Sequence, residues 1–368
     1  MRPEELFHNL RMYFTPGIGH ITIKRLIRHC GSAEAVYAEK KKALLKIEGI
    51  NRAVLEKLFV QADNQLIEEE IKRMEKLGIK YCTFHDNEYP VALQHCTDSP
   101  FMLFFRGRLP SPHHRIISVV GTRSATEYGK ECCNRLIQDF AGHDITIVSG
   151  FAYGIDITAH LAAIEHQIET IAVVAHGFGF MYPSLHRKYV SDLLKNGGII
   201  TEYPSMVKPD KENFPMRNRI IAGLAEATIV VEASEKGGAL ITARIANSYH
   251  RDVYAFPGRT SDPYSKGCNR LIKNNEAILV ESADDILIAL GMKLKKKKPA
   301  IQSRLFIELD QDEKILVELL QPVDNMGIDD LSLHAGFPSS KTASLLLSLE
   351  MKGLIHSIPG KKFKLMGS

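Results

Sequence analysis

Two arginines bracket an asparagine in the segment NFPMRNRIIAG, at residues 213–223. The apolar residues that follow predict a helix buried against a core, so Arg217 and Arg219 would lie near its first turn. Positive side chains near a helix N-terminus oppose the helix dipole, and burying them costs desolvation energy unless anions compensate. Guanidinium groups bind phosphate oxygens through paired hydrogen bonds. Arg217, Asn218 and Arg219 therefore predict a phosphate-binding segment.

A cation and an aromatic residue precede these arginines, at Lys211 and Phe214. This pairing is typical of proteins that bind single-stranded nucleic acid, where the cation neutralises the backbone and the ring stacks on a base. The alternative for Phe214 is a core contact that anchors the loop. The alternative for the arginines is salt bridges to Glu202, Glu212 or Glu226. We rank these salt bridges below phosphate binding because so many glycines share the predicted site.

Short apolar runs rich in Val and Ile alternate with helical stretches between residues 116 and 290. The runs read IISVV, ITIVS, TIAVVA, GGIIT, ATIVVEA, DVYAF and EAILV. Continuous apolar runs are typical of parallel strands buried on both faces, and strand–helix alternation predicts a doubly wound sheet. The predicted fold class is therefore α/β, with an extended Rossmann-like, mostly parallel sheet. Such sheets bind ligands beyond the carboxyl ends of their strands.

Gly, Ser and Thr follow the predicted strands at that edge. The segments VVGTRSATEYG, VSGFAYGIDITAH and VEASEKGGALITA lead into predicted helices, whose N-terminal amides bind anions. Because a backbone can approach a ligand closely at glycine, these strand ends predict a site for a phosphate-bearing ligand, and Arg123, just past a strand end, should reach it. The segments match neither the dinucleotide-binding G-x-G-x-x-G pattern nor the P-loop. Several successive phosphates fit this pattern better than one pyrophosphate.

Composition narrows the function classes. The net charge is +4, but residues 61–290 carry 28 acidic and 24 basic side chains, so an anion site there must come from local clustering. The six cysteines form no C-x-x-C pair, and Asp156 and His160 have no evident third ligand, so we expect no metal site. The first residues lack the apolar region of a signal peptide, and no apolar run approaches the ~18 residues that span a bilayer. We expect a cytoplasmic protein that does not contact membranes.

The sequence predicts three domains. Residues 1–77 predict a small helical domain of the helix-hairpin-helix or SAM-like kind, and residues 78–290 predict the Rossmann-like domain. Residues 291–303 form a basic linker, and residues 304–368 predict three helices with a two-stranded wing, a winged-helix domain. Lys341 and Lys352 are the only cations of its third helix, few for a helix that reads a DNA groove. Contact with another protein is therefore at least as well supported for that domain as reading of a DNA groove.

Six segments resemble the DprA family, also called Smf, over most of residues 80–290: VVGTR, SGFAYGID, ENFPMRNRIIAGL, VVEASEKGGALITA, FPGR and GCNRLI. The resemblance implies a dimeric, ATP-independent protein, not an enzyme and without cofactor. It implies binding of single-stranded DNA and loading of the RecA recombinase onto it during natural transformation, with single-strand-binding protein as a further candidate partner. It also implies a base contact at Phe214 and a phosphate pocket formed by Gly121, Arg123, Gly150, Lys211, Arg217, Asn218, Arg219, Gly237 and Gly238. Gly179 departs from the family, which often has Asp there.

Two other function classes are alternatives. The nucleotide phosphoribohydrolases share this type of sheet and a helix start similar to GGALIT, but they pair it with a Glu that acts on the ribose. No acid stands near Thr242 in this sequence. A transcription regulator would act through the winged helix, and the weakly basic third helix argues against that class.

Apolar residues near the end of the predicted sheet indicate self-association. Ile278 and Leu279 are expected on an edge strand, where an unpaired ladder can receive a partner. The resemblance points to this end of the domain, with Ile272, as the dimer surface and as the region near the RecA contact. A two-fold dimer would place two phosphate sites in one particle. In the alternative, these residues pack under the helix predicted at residues 282–290 and no dimer forms.

Overall fold

The computed structural model describes residues 3–60, 64–294, 309–323, 325–358 and 360–365. The chain divides into two compact units, Met1–Leu294 and Lys295–Ser368. From residue 295 onward, the basic linker predicted at residues 291–303 lies outside the described residues. Within the described ranges, no helix has the length and apolar character needed to cross a membrane.

The first unit combines helices with one sheet. Its helices are α1 Pro3–Tyr13, α2 His20–Cys30, α3 Ala33–Ala38, α4 Lys41–Leu44, α5 Arg52–Phe59, α6 Asn64–Leu77, α7 Val91–Gln94, α8 Glu127–Asp139, α9 Ile155–Glu165, α10 Val190–Asn196, α11 Asn213–Leu224, α12 Gly238–Ser248, α13 Lys266–Lys273 and α14 Ala283–Ala289. Its strands are β1 Lys80–Thr83, β2 Met102–Gly107, β3 Arg115–Val120, β4 Ile145–Ser149, β5 Glu169–Val173, β6 Gly197–Thr201, β7 Ala227–Val230, β8 Asp252–Ala255 and β9 Ile278–Leu279. A 3-10 helix, Ser184–Tyr189, precedes α10.

The nine strands form one sheet in the order β1-β2-β6-β5-β4-β3-β7-β8-β9. The strands from β6 to β9 in this order are parallel, whereas β2 pairs antiparallel with β6 and with β1. The chain moves outward from β3 to β6 and then returns to the other side of β3 with β7. The expected Rossmann-like, mostly parallel α/β sheet is confirmed. The reversal creates a topological switch point between the carboxyl ends of β3 and β7.

Helices cover both faces of the central strands, which explains their uninterrupted apolar sequences. Val119 of β3 packs in a cluster with residues of α8 and α9, whereas its neighbour Val120 packs in a cluster with residues of α11 and α12. Successive side chains of a strand point to opposite faces, so each face of the sheet needs its own apolar residues.

The N-terminal helices share one apolar cluster with β1 and β2. Buried polar contacts add to it. Lys24 donates to the Ser99 carbonyl at 2.9 Å and to Ser99 Oγ at 2.8 Å. Glu70 of α6 accepts from the Ser205 N–H at 2.7 Å and from Ser205 Oγ at 2.6 Å. The predicted boundary at residue 77 therefore does not separate two cores, because apolar burial and satisfied polar groups join the helices to the sheet.

The second unit contains α15 Gln311–Leu320, β10 Met326–Gly327, α16 Ile328–Ala335, α17 Ser339–Met351, β11 Ile355–Ile358 and β12 Lys362–Leu365. The strands pair antiparallel in the order β10-β12-β11, so the predicted winged helix is confirmed and a third short strand joins its wing. Lys352 donates to the buried carboxylate of Glu313 at 2.6 and 2.7 Å, and Lys341 lies 2.6 Å from Asp312. Lys341 of α17 and Lys352, the residue that follows it, are thus engaged within the unit, which further weakens the case for groove reading.

Candidate nucleic-acid interface

An open cleft of about 600 Å³ lies at the switch point of the sheet. The turns that follow β3 and β7 and the N-terminal halves of α11 and α12 form its walls. Eight of the predicted DNA-contacting residues line it: Gly121, Arg123, Lys211, Phe214, Arg217, Asn218, Gly237 and Gly238. The other two, Gly150 and Arg219, do not. A second cleft, of about 700 Å³, lies beside β1 and the segment after β2, away from these residues.

Cations and helix amides face the cleft at the switch point. Arg123, Lys211 and Lys236 line it and are exposed. Helix α12 begins at Gly238 with no side chain capping its first amides. A Cβ atom at Gly238 would meet no other atom within 4 Å, so the approach to these amides is open. The cleft therefore combines exposed cationic side chains with the positive end of a helix dipole, an arrangement suited to phosphate.

Arg217 lies beneath the cleft and is only 4% exposed. Its Nη1 donates to the Gly150 carbonyl at 2.6 Å and to the Val173 carbonyl, and its Nε donates to Asn218 Oδ1 at 3.1 Å. Burial lowers the pKa of Arg217 to about 10, and nearby Asp156 opposes this shift. The guanidinium is therefore charged at neutral pH. It raises the electrostatic potential of the cleft floor while its donors bind the ends of β4 and β5.

Helix α11 begins at Asn213, four residues before Arg217. Arg217 and Arg219 are therefore the fifth and seventh residues of α11, in its second turn rather than at the helix opening. Phe214 and Pro215 belong to the first turn of the helix rather than to the loop before it. Proline is tolerated in the first turn, where its missing N–H would have no intrahelical partner.

Arg219 points away from the cleft, because residues two apart on a helix differ by roughly 200° in direction. Its guanidinium pairs with Glu202 and donates to the Asp98 carbonyl at 2.5 Å. The side chain is 5% exposed. His20 Nε2 lies 3.3 Å from the same carboxylate. This placement does not fit a phosphate contact, and the salt bridge to Glu202 that ranked lower in the sequence is present.

Gly150 lies below the cleft, at a position where the neighbouring side chains leave no space for a Cβ atom. A Cβ atom there would come within 2.6 Å of Asp156 Oδ2 and 2.7 Å of Arg217 Nη2. Only glycine leaves room for both side chains. Gly121 is similar, since its Cβ would lie 2.4 Å from the Ile155 side chain. Both glycines allow the cleft to be built, whether or not their backbones also contact a ligand.

Glu232, which the sequence analysis did not select, holds the loop that carries Arg123. Its buried carboxylate accepts from the Thr126 N–H at 2.9 Å and from Thr126 Oγ1 at 2.6 Å. Its carbonyl accepts from the Thr122 N–H at 2.7 Å. The sequence signal for this role was an acidic residue directly after a predicted buried strand. The contacts of Glu232 give the loop between β3 and α8 a defined position.

Two aromatic rings stand at the cleft wall. The ring centroids of Phe214 and Tyr182 are 5.5 Å apart, with planes inclined at 59°. The guanidinium carbon of Arg123 lies over the Phe214 ring, 5.1 Å from its centroid. Tyr182 lines the cleft and is 39% exposed. The sequence indicated Phe214 but not Tyr182 as a ring of the site, because nothing in the sequence shows that their two segments meet.

Asp156 and His160 take separate roles. His160 Nδ1 lies 2.7 Å from Thr170 Oγ1, and burial lowers the pKa of His160 to about 3. Asp156 lines the cleft beside Arg217, and burial raises the pKa of this carboxyl. Across the described ranges, no three His, Cys, Asp or Glu side chains are grouped so as to hold a metal ion.

The predicted self-association residues lie at the far edge of the sheet. Strand β9 is the last in the sheet order and pairs with β8, so the expected edge strand is confirmed. Ile278 is 56% exposed and Leu279 is 47% exposed. These two side chains do not pack under the following helix, as the alternative required. Ile272 of α13 is half-buried against the core.

Comparisons of the sequence and of the fold with known proteins find similarity to the same family. Residues 80–319 match the family model of DNA recombination-mediator protein A, and residues 302–361 match the model of the DprA winged helix domain. Protein Smf of Escherichia coli is 37% identical over 276 residues, 74% of this chain and 74% of that protein. The X-ray structure of DNA processing protein A from Streptococcus pneumoniae aligns with a TM-score of 0.67 at 32% identity, over 77% of this chain and 97% of that one. A structure of DNA processing protein A from Helicobacter pylori, titled for its single-stranded DNA binding mode, aligns with a TM-score of 0.51 at 28% identity, over 57% of this chain and 95% of that one.

The two arginines Arg123 and Arg219 should respond differently to substitution. Arg219→Leu leaves the buried carboxylate of Glu202 without its guanidinium, so we expect the free energy of unfolding to fall by about 3–5 kcal/mol. Arg123→Ala should keep its stability and flatten the slope of log affinity for a single-stranded oligonucleotide against log salt by roughly 0.7. Denaturant titration and binding titrations at several salt concentrations measure these quantities.

The exposed pair of Arg115 and Glu226 provides the matched control. Arg115→Ala should change stability by roughly 0–1 kcal/mol, as expected of a surface salt bridge. If Arg219→Leu kept wild-type stability and flattened the salt slope, Arg219 would be a phosphate contact after all.

Proposed function

The chain belongs to the family of DNA recombination-mediator protein A, and from that premise we propose that it binds single-stranded DNA in the cleft at the switch point. The observation that carries the proposal is the meeting of three exposed cations, an uncapped helix N-terminus and two aromatic rings in one cleft. Such a site suits a strand whose phosphates and bases are both accessible. The single-stranded DNA binding of the Helicobacter pylori relative supports it.

In this proposal, the groups around the cleft divide the recognition of the strand. The first amides of α12 and the side chain of Lys236 bind one phosphate, and Arg123 and Lys211 bind its neighbours. Arg217 contributes charge from below, because its Nε and Nη1 donate to protein oxygens. The bases of the strand contact the aromatic wall of the cleft. These contacts require no particular base sequence, since every nucleotide carries a phosphate and a π face.

Catalysis is not part of the proposal. The phosphoribohydrolase alternative requires an acidic residue in the cleft. Asp156 lines the cleft, which the sequence did not reveal. Its carboxyl is buried, it lies next to Arg217, and it accepts from the Ala152 N–H at 3.4 Å. Glu232 is engaged with Thr126. Neither carboxyl is presented to a ribose as an exposed base, so binding is the better-supported activity.

We expect the chain to prefer single-stranded over double-stranded DNA, because paired and stacked bases cannot reach the rings of the cleft. A competition series against a labelled single-stranded oligonucleotide measures this, with unlabelled single strand, duplex and nucleoside monophosphate as competitors. Equal competition by duplex would contradict the proposal. Strong competition by the monophosphate, together with release of free base on chromatography, would favour the phosphoribohydrolase alternative.

We also propose that the bound strand is delivered to the RecA recombinase. Membership of a family of recombination mediators supports this step. A cleft that holds the backbone through phosphates leaves part of each base accessible to a recombinase. Binding through exposed cations also makes release sensitive to competing charge, as transfer to another protein requires.

Loading should appear as faster ATP hydrolysis by RecA on single-stranded DNA that is first coated with single-strand-binding protein. Wild-type protein should shorten the lag before hydrolysis, and Arg123→Ala should shorten it less in proportion to its weaker binding. A lag unchanged by saturating wild-type protein, under conditions where it binds the DNA, would contradict loading while leaving DNA binding intact.

A homodimer formed through β9 is the proposed assembly. The edge strand offers two exposed apolar side chains, and a shallow cavity of about 430 Å³ beside it is lined by Ile272, Ile278 and Leu279. An unprotected apolar edge readily pairs with a second copy. Two clefts in one particle would raise apparent affinity for a long strand by avidity.

Ile278→Glu should dissociate this dimer, because it places a charge in the centre of an apolar contact. Light scattering should give the 41.2 kDa mass of one chain for the variant and twice that mass for wild type. Ile288→Glu on α14 is the matched control, since Ile288 is 61% exposed and lies off the edge strand. A variant that folds and keeps the wild-type mass would show that β9 is not the interface.

A further inference from the structure

The Phe214 ring is already occupied in the structure. The guanidinium of Arg123 lies over it, 5.1 Å from the ring centroid, and the Tyr182 ring packs at an inclined angle beside it. Its side chain is half-buried as a result. A base could stack on Phe214 at that face only by displacing Arg123, a cation that the phosphates need.

Tyr182 offers a more accessible ring. It lines the same cleft, it is 39% exposed, and Phe214 supports it at a centroid distance of 5.5 Å. Tyrosine combines a large apolar face with few rotatable bonds, so ordering it against a ligand costs little entropy. Stacking of a base on such a ring adds to binding without reading sequence.

The backbone of Tyr182 is fixed by a buried histidine. His176 Nε2 accepts from the Tyr182 N–H at 3.2 Å, and His176 Nδ1 lies 2.9 Å from the Gly177 carbonyl. One nitrogen must accept and the other must donate, which requires a neutral imidazole. Burial lowers the pKa of His176, which keeps the ring neutral. The histidine thus holds Tyr182 in place before any strand arrives.

The N-terminal helices support the same loop from the other side. The Gly179 N–H donates to the Ser205 carbonyl at 2.8 Å, and Ser205 is held by Glu70 of α6. A Cβ atom at Gly179 would lie 2.7 Å from that carbonyl oxygen. Glycine at this position therefore permits the close contact between the two loops. A loop fixed at both ends presents Tyr182 as a pre-organised surface.

We propose that Tyr182 is the residue on which a base of the bound strand stacks, and that Phe214 supports it and orients Arg123 toward the adjacent phosphate. This inference deepens the proposed single-stranded DNA binding and rests on it. It assigns to Tyr182 the contact that the sequence assigned to Phe214. The two roles differ in an observable way, because only a ring in direct contact with a base can form a crosslink to it.

The test uses the full chain and a single-stranded oligonucleotide that carries 5-iododeoxyuridine at each position in turn. Irradiation crosslinks the modified base to an aromatic ring stacked on it, and mass spectrometry identifies the residue. We expect crosslinks at Tyr182. Tyr182→Leu should lower affinity by roughly five- to 150-fold at an unchanged salt slope, and Tyr182→Phe should recover the affinity lost in Tyr182→Leu. Leu185→Ala, which changes a 69% exposed residue of the following segment outside the cleft, is the control.

Crosslinks at Phe214 alone, with Tyr182→Leu binding as wild type does, would overturn the inference and leave the proposed function standing. A flattened salt slope in Tyr182→Leu would also overturn it, because the substitution would then have displaced a phosphate contact. Wild-type protein that fails to bind any single strand would overturn the proposed function and this inference together. A thermal melt of Tyr182→Leu that matches wild type establishes that the variant is folded.

Discussion

A charged guanidinium buried at the carboxyl edge of the sheet sets the geometry of the cleft. Removing Arg217 from water is costly, and the cost is offset by carbonyl groups at the ends of β4 and β5 and by Asn218. Asp156 lies beside this arginine and opposes the lowering of the Arg217 pKa. Because these partners come from different elements, the arginine fixes α11 against the sheet. Gly150 is then required, since a side chain there would collide with both Asp156 and Arg217.

The same helix joins the cleft to the N-terminal helices through its second arginine. Arg219 pairs with Glu202, whose carboxylate also lies near His20 of α2 and whose carbonyl accepts from Tyr13 of α1 at 2.7 Å. Helix α11 therefore carries one charged side chain toward the cleft and one toward the helices. A shift of the helix would break both buried networks at once, so the position of the cleft is coupled to the packing of the N-terminal region.

Strand order explains why a chain without excess positive charge in this region can still hold a polyanion. Residues 61–290 carry slightly more acids than bases, so the bulk field does not attract DNA. The reversal after β6 brings the turn that carries Arg123 beside the start of α12, which adds Lys236 and free amides. Lys211 arrives from the segment before α11. Charge is concentrated by topology, and the acids remain elsewhere or, like Asp156 and Glu232, are engaged.

The sequence by itself determined the sheet, the winged helix and most of the cleft residues. Apolar runs and glycine-rich strand ends are local patterns, and parallel strands bring their carboxyl ends to one edge whatever their order. The tertiary structure alone decided the direction of Arg219, the packing role of Gly150, the meeting of Tyr182 with Phe214 and the shared core of the N-terminal helices. Each depends on a partner distant in the chain, and residue type and spacing do not specify which distant groups meet. A buried arginine can donate to a phosphate, a carbonyl or a carboxylate, and residue type does not say which it meets, so only the fold selects among them.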